Sequence, residues 1–140
     1  MSENLDFVRS IYADWERGDF SRADWADPEI EYSLVGDLDE GTVRGLAGMA
    51  QVWGRWLSAW DNVHVEPESC REVDHGCVLV LATIIGRGKT SGLEQTHVKA
   101  AVVFHIRHAK VTRLAQYWDR DRALADLGLE ASPTWARKFP

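Results

Sequence analysis

Cysteine, proline and long apolar runs are all scarce in this sequence. Its 140 residues include two cysteines and four prolines. No apolar stretch approaches the ~20 residues that cross a bilayer. Residues 1–20 are charged and helical in pattern, unlike a basic segment followed by an apolar run. We therefore expect no membrane-spanning helix, no signal peptide and a cytoplasmic location.

The two cysteines, Cys70 and Cys77, flank a predicted hairpin turn. A two-residue turn at Asp74 and His75 would put Glu72 opposite Cys77 and leave Cys70 without a cysteine across from it. A disulfide is not expected, because its two Cα atoms must lie within about 7 Å of each other. No histidines stand at ligand spacing beside the thiols, so we also predict no metal site and no cofactor.

Positive charge is neither abundant nor clustered. The 16 Lys and Arg residues are outnumbered by 22 Asp and Glu, which gives a formal net charge of −6. Nucleic acids and anionic membranes both require clustered cations on the protein surface. We therefore predict that neither is a partner.

The composition is otherwise that of a globular protein, with 45% hydrophobic and 27% charged residues. The length fits one domain, which we place at residues 1–131, followed by a tail over residues 132–140 that has no periodicity. Seven tryptophans are many for such a chain, and large flat side chains build either a thick core or the walls of a pocket.

Apolar residues recur at helical spacing in four segments. The first helix is predicted to end at Gly18, and a short second helix to begin at Ser21 and stop before Pro28. The third and longest spans residues 45–60. The last, over residues 119–128, has an aspartate cap and a closing glycine.

Alternation with a period of two predicts strands over residues 30–35 and 62–73, and further strands are predicted over residues 77–85, 94–106 and 110–118. Residues 77–85 are apolar throughout, which is typical of an interior strand. There is no strand–helix–strand alternation. The order of elements predicts an α+β fold in which helices pack on one face of a curved, mostly antiparallel sheet.

Burial of apolar area indicates which side chains of the strand over residues 94–106 face the core. This inner row is Val98, Ala100, Val102, Phe104 and Ile106. His97 and Lys99 then point outward, although a register slip of one residue would turn both into the interior.

The next strand is predicted to pair through a three-residue loop over residues 107–109, which puts Phe104 opposite Thr112. Its inner row then consists of Leu114, Gln116 and Trp118. A buried amide without a partner costs about 1–3 kcal/mol. Gln116 therefore either bonds to a neighbour or meets a ligand.

Aromatic side chains raise the same two alternatives. Tyr32 lies on the apolar row of its strand, and its hydroxyl needs a partner if it is buried. The others share helix faces, where such a stripe forms either core or the wall of a pocket; they are Tyr12, Trp15, Trp53 and Trp56.

Three stretches, residues 11–19, 26–32 and 109–129, resemble the SnoaL-like branch of the nuclear transport factor 2-like superfamily. The resemblance covers about residues 4–129. It implies a cone-shaped fold, with helices in the concave face of a strongly bent sheet, and a homodimer formed through the outer sheet face. Because members include cyclases, isomerases, epoxide hydrolases and pure binding modules, the fold alone does not define the reaction.

The resemblance implies a pocket for an apolar small molecule of polyketide, steroid or terpenoid type. Gln116 and Tyr32 are the candidate catalytic residues. The candidate ligand-binding residues are Tyr12, Trp15, Trp53, Trp56, Val98, Ala100, Leu114 and Trp118. The protein is then an isomerase, cyclase or hydrolase; the alternative is a non-catalytic ligand-binding or protein-interaction module of the same fold.

The sequence departs from the catalytic patterns of two of these enzyme groups. Gln116 stands where similar limonene-epoxide hydrolases have a catalytic aspartate, and Leu34 where they have an asparagine. Their Arg-x-Asp has no counterpart in residues 78–85, and the aspartates of ketosteroid isomerases are also missing. The predicted pocket thus has hydrogen-bonding groups but no evident general base.

Overall fold

The computed structural model describes residues 3–35, 41–74, 76–88 and 95–128, and the predicted tail lies outside them. These residues form three helices and six strands, which follow one another in the order α1, β1, β2, α2, β3, β4, β5, β6, α3. Their bounds are α1 Glu3–Glu16, β1 Ala26–Val35, β2 Gly41–Arg44, α2 Gly45–Ser58, β3 Trp60–Asp74, β4 Cys77–Gly88, β5 Gln95–Arg107, β6 Lys110–Tyr117 and α3 Arg120–Asp126.

The six strands form one sheet in the order β2-β1-β6-β5-β4-β3. Every neighbouring pair is antiparallel except β1 and β6, which run parallel. The predicted α+β fold with a mostly antiparallel sheet is therefore confirmed. The strand predicted to be interior, β4, is flanked by β3 and β5, and its apolar residues are buried on both faces.

Alternation along the strands divides the core into two clusters on opposite faces of the sheet. The face that α1 and α2 cover, here called the inner face, carries Val80, Val102 and Phe104. The outer face carries Leu79 and Val103, packed with Ala123 and Leu124 of α3. Helices α1 and α2 thus lie on the inner face as expected, whereas α3 packs on the outer face.

The prediction of a helix that begins at Ser21 is wrong, because this segment is irregular and leads directly into β1. The Asp19 carboxylate accepts hydrogen bonds from the backbone N–H of Ser21, at 3.0 Å, and from its hydroxyl, at 2.6 Å. The Trp25 indole N–H donates to the Arg22 carbonyl at 3.0 Å. These local bonds hold a turn that competes with a helix.

The β5–β6 hairpin has a different register from the predicted one. Its turn has two residues, His108 and Ala109, both with positive φ, and a bulge at Thr112 follows. Phe104 therefore faces Leu114 rather than Thr112. Beyond the bulge the error is two residues, so Leu114 and Gln116 still lie on the inner row. Before the bulge the error is one residue, and Val111 rather than Lys110 or Thr112 belongs to the inner-face cluster.

The β3–β4 turn is also shifted by one residue from the prediction. Asp74 pairs with Cys77, and Cys70 pairs with Val80. Both cysteines are free, as expected from their separation in the register.

The predicted helix ends are confirmed at both termini of the fold. Helix α1 ends just before Gly18, which has a φ of +77°. Asp119 caps α3, accepting from the backbone N–H groups of Asp121 and Arg122, and Gly128 follows its end with a φ of +75°. In contrast, β2 had no sequence prediction, and the long helix stops at Ser58 because the next residues join β3.

Candidate functional site

A cavity of about 420 Å³ lies against the inner face of the sheet, below α2 and β2. Its lining combines residues of α1, α2, all six strands and the segments that connect them. They are Trp15, Phe20, Tyr32, Leu34, Gly41, Thr42, Val43, Val52, Trp53, Arg55, Leu57, Ala59, Val65, Ile84, Val102, Leu114, Gln116 and Trp118.

Aromatic rings form one wall of this cavity. Trp53 meets Trp15 with ring centroids 5.4 Å apart and an interplanar angle of 77°, and it meets Tyr32 at 6.1 Å and 81°. Trp25 and Phe20 lie behind and beside these rings. Edge-to-face contacts of this kind fix ring orientation, so the wall is a rigid surface for an apolar ligand.

Tyr32 brings a hydroxyl into the wall. The residue is 6% exposed, and its place on β1 puts it beside Leu114 of β6. Burial raises its pKa to about 12, although the side-chain hydrogen bond with Trp53 lowers it in part. The indole N–H can only donate. Tyr32 therefore stays protonated near neutral pH, with its own O–H available as a donor.

Gln116 supplies a second polar group from the inner row of β6. It lies opposite Val102 on β5 and beside Leu34 on β1. Its amide nitrogen is buried and makes no hydrogen bond within the described part of the chain. A buried donor left unpaired costs about 1–3 kcal/mol, so this atom marks where a ligand acceptor would be stabilised.

The structure brings six of the predicted site residues together in the lining: Trp15, Tyr32, Trp53, Leu114, Gln116 and Trp118. Tyr12, Val98 and Ala100 are not in it. Tyr12 packs instead against Phe104, with ring centroids 5.9 Å apart, and Ala100 is fully buried. Trp56 belongs to α2, but its side chain lies outside the described part of the structure. The binding and catalytic roles of all these residues stay predictions.

Several lining residues escaped the sequence prediction. Phe20 lies between the two helices predicted to end at Gly18 and to begin at Ser21, and Thr42 and Val43 belong to the unpredicted β2. Val52 and Leu57 on α2 carried a signal, since they follow the helical period next to Trp53. Phe20 and β2 carried none, because the four residues of β2 are too few to show a period and Phe20 contacts Trp53 of the distant α2.

The lining contains no carboxylate, imidazole or thiol among the described residues. Arg55 is its one charged residue there, and Tyr32 contributes a protonated hydroxyl. Such a set can donate hydrogen bonds to an oxygen and polarise a carbonyl, but it offers no general base near neutral pH. Nor do the described residues include a group of three or more His, Cys, Asp or Glu side chains able to hold a metal ion.

His97 and Lys99 are exposed and lie outside the cavity lining, in keeping with the predicted register. Lys99 lies 3.5 Å from the Glu68 carboxylate.

Within the described ranges, no helix combines the length and the apolar character needed to cross a membrane.

Residues 8–114 match the SnoaL-like domain family, which is more than half of the chain. A search of curated proteins finds no match.

Solved structures with the same fold are similar over most of their length. One is a hypothetical protein with a ketosteroid isomerase-like fold from Catenulispora acidiphila, in complex with trimethylamine. It has a TM-score of 0.68 and 20% identity, and the match covers 92% of this chain and 97% of that one. A putative SnoaL-like polyketide cyclase from Jannaschia sp. CCS1 has a TM-score of 0.69 at 15% identity, and the match covers 93% of this chain and 92% of that one. An epoxide hydrolase from M. tuberculosis has a TM-score of 0.65 at 19% identity, and the match covers 84% of this chain and 83% of that one. At these identities, the likeness establishes the fold alone.

Proposed function

Because the chain belongs to the SnoaL-like domain family, we propose that it binds a mostly apolar small molecule in the cavity below α2. The observation that carries this proposal is the buried amide nitrogen of Gln116, which has no partner among the described residues and belongs to the cavity lining. A ligand oxygen would satisfy that donor.

The apolar part of the ligand is held by the aromatic wall and by aliphatic side chains of the inner face, such as Val65, Ile84 and Val102. Burying apolar surface contributes about 25 cal/mol for each Å² removed from water. A cavity of about 420 Å³ suits a compact ring system or a folded chain. This matches the polyketide, steroid and terpenoid classes.

The polar part of the ligand is a carbonyl-type oxygen. The Tyr32 O–H and the Gln116 N–H are both donors, and both belong to buried parts of the lining. Donors aimed at one oxygen stabilise the negative charge that develops on it during enolisation or ring closure. These groups support polarisation of the carbonyl in an isomerisation or cyclisation, but the described lining supplies no base to take a proton, so we propose no proton-abstraction step. We do not propose epoxide hydrolysis through a carboxylate, because the described lining has none.

The alternative is an interaction module whose vestigial pocket is filled by tryptophans. The open volume of about 420 Å³ beside Trp15, Trp53 and Trp118 favours ligand binding over this alternative.

A thermal-shift screen with androstenedione, carvone, emodin and limonene oxide tests the proposed function. A ligand at 100 times its dissociation constant stabilises the fold by about 2.7 kcal/mol. Because Trp15, Trp53 and Trp118 line the cavity, we expect a carbonyl-bearing hit to change tryptophan fluorescence as well. A folded protein that responds to none of the four compounds would contradict the proposal.

Substitution of the two donors locates the binding site. Gln116→Leu keeps the approximate size and removes the amide, so it should weaken binding of the hit roughly five- to hundredfold. Tyr32→Phe should act in the same direction. Gln51→Leu, at an exposed position of α2 outside the lining, is the matched control and should leave affinity unchanged. Equal affinities for Gln116→Leu and the control would rule out the role given to Gln116.

A further inference from the structure

Exposure divides the cavity lining into a buried interior and a rim. Tyr32, Val102 and Leu114 are 6%, 3% and 1% exposed. The exposed members are Gly41, Thr42, Arg55 and Ala59. Tyr32 therefore belongs to the interior, as does the buried amide nitrogen of Gln116, and a cation stands at the rim.

Arg55 is the one charged side chain of the described lining. It lies near the end of α2, on the turn that follows Trp53. No ion pair or side-chain hydrogen bond links its guanidinium to another described residue. Other arginines of the chain do have such partners, such as Arg44 with Glu31 and Arg120 with Glu68. A guanidinium beside an apolar cavity recognises planar anions, above all carboxylates.

We propose that Arg55 selects ligands that carry a carboxylate at the end opposite their carbonyl oxygen. The inference rests on the proposed function. The ligand class becomes an apolar oxo acid: its ketone oxygen meets Tyr32 and Gln116 inside, its apolar body fills the aromatic cavity, and its carboxylate pairs with Arg55 at the rim. Since the chain carries a net charge of −6, attraction of an anion depends on this local cation rather than on the overall charge.

Calorimetric titration with para-benzoylbenzoate and with its methyl ester tests the inference. The two probes share a ketone and two aromatic rings and differ in charge at one end. We expect the wild-type protein to bind the acid about three- to tenfold more tightly than the ester at low ionic strength, and added salt to reduce this preference. Arg55→Gln should remove the preference by weakening the acid alone, and Arg55→Lys should retain part of it.

Arg9→Gln is the matched control, because Arg9 is an exposed arginine of α1 outside the cavity lining, and its replacement changes the net charge equally. It should preserve the preference for the acid. Equal binding of acid and ester, or a preference that survives Arg55→Gln, would overturn this inference while leaving the proposed function intact. Binding of neither probe would also overturn the inference, and the thermal-shift screen then decides the proposed function separately.

Discussion

Gly76 occupies a turn position that does not accept a larger residue. It follows β3 with a φ of +79°, a left-handed conformation that side chains disfavour, and an added Cβ would lie 2.8 Å from the Ile106 carbonyl oxygen. The same Ile106 donates its N–H to the Gly76 carbonyl at 2.7 Å. The turn therefore contacts the end of β5 too closely to accept a side chain.

Two glycine substitutions of opposite expected sign test this packing. Gly76→Ala should lower the free energy of unfolding by about 1–3 kcal/mol, through backbone strain and the close contact. Gly54→Ala, in α2 where an added Cβ meets nothing within 4 Å, should raise it by about 0.5–1 kcal/mol. Urea denaturation of both variants measures the difference. A Gly76→Ala protein as stable as wild type would show that the turn can shift.

At the scale of the elements, a cluster of hydrogen-bonded polar side chains links α3 to the sheet. Glu68, at a bulge of β3, accepts from the Arg120 guanidinium at 2.9 Å and from the Thr83 hydroxyl. Arg120 also donates to the carbonyls of Ala82, at 2.9 Å, and Ala100, at 3.2 Å. One side chain at the start of α3 thus bonds to three neighbouring strands, which complements the apolar packing of the helix.

The cluster predicts acid sensitivity. Burial alone would raise the pKa of Glu68, but hydrogen bonds from Arg120 and Thr83 bring it from 4.5 down to about 2. A depressed folded-state pKa contributes stability above the unfolded pKa, and this contribution is lost as pH falls from about 4.5 to 2. After allowance for partial exposure we expect a loss of about 1–2 kcal/mol.

Urea unfolding at pH 7, 4.5 and 3 measures this effect. Glu68→Gln should start less stable at pH 7 and lose less stability on acidification than the wild type. Glu66→Gln, at a more exposed glutamate two residues away, should follow the wild type. Parallel pH profiles for wild type and Glu68→Gln would contradict the assignment.

For the whole molecule, we propose the homodimer through the outer face that the family resemblance implies. In the single chain Leu79 and Val103 on that face are already 1% and 2% exposed, and α3 packs there. A partner would therefore meet more polar residues such as His97 and Lys99. Interfaces of this composition are typical of weaker, reversible association.

Light scattering at a series of concentrations checks the assembly. We expect a mass near twice 15.8 kDa at high concentration that falls toward 15.8 kDa on dilution. Raised salt should favour the monomer if charged groups contribute to the interface. A mass of 15.8 kDa at every concentration would contradict the dimer.

The sequence by itself determined the features that depend on nearby residues. The ends of α1 and α3 follow from Gly18, Asp119 and Gly128, because caps act within one turn of the chain. The inner row with Leu114 and Gln116 follows from alternation, which a register error of two residues leaves unchanged. The family was also evident from the sequence.

Only the tertiary structure decided which of these side chains share a cavity. It pairs β1 with β6 in parallel, places α3 on the outer face, adds Phe20 and β2 to the lining and leaves Tyr12 and Ala100 outside it. It also puts the exposed Arg55 at the rim. Each of these outcomes joins segments far apart in the chain, and the spacing of neighbouring residues carries no information about such contacts.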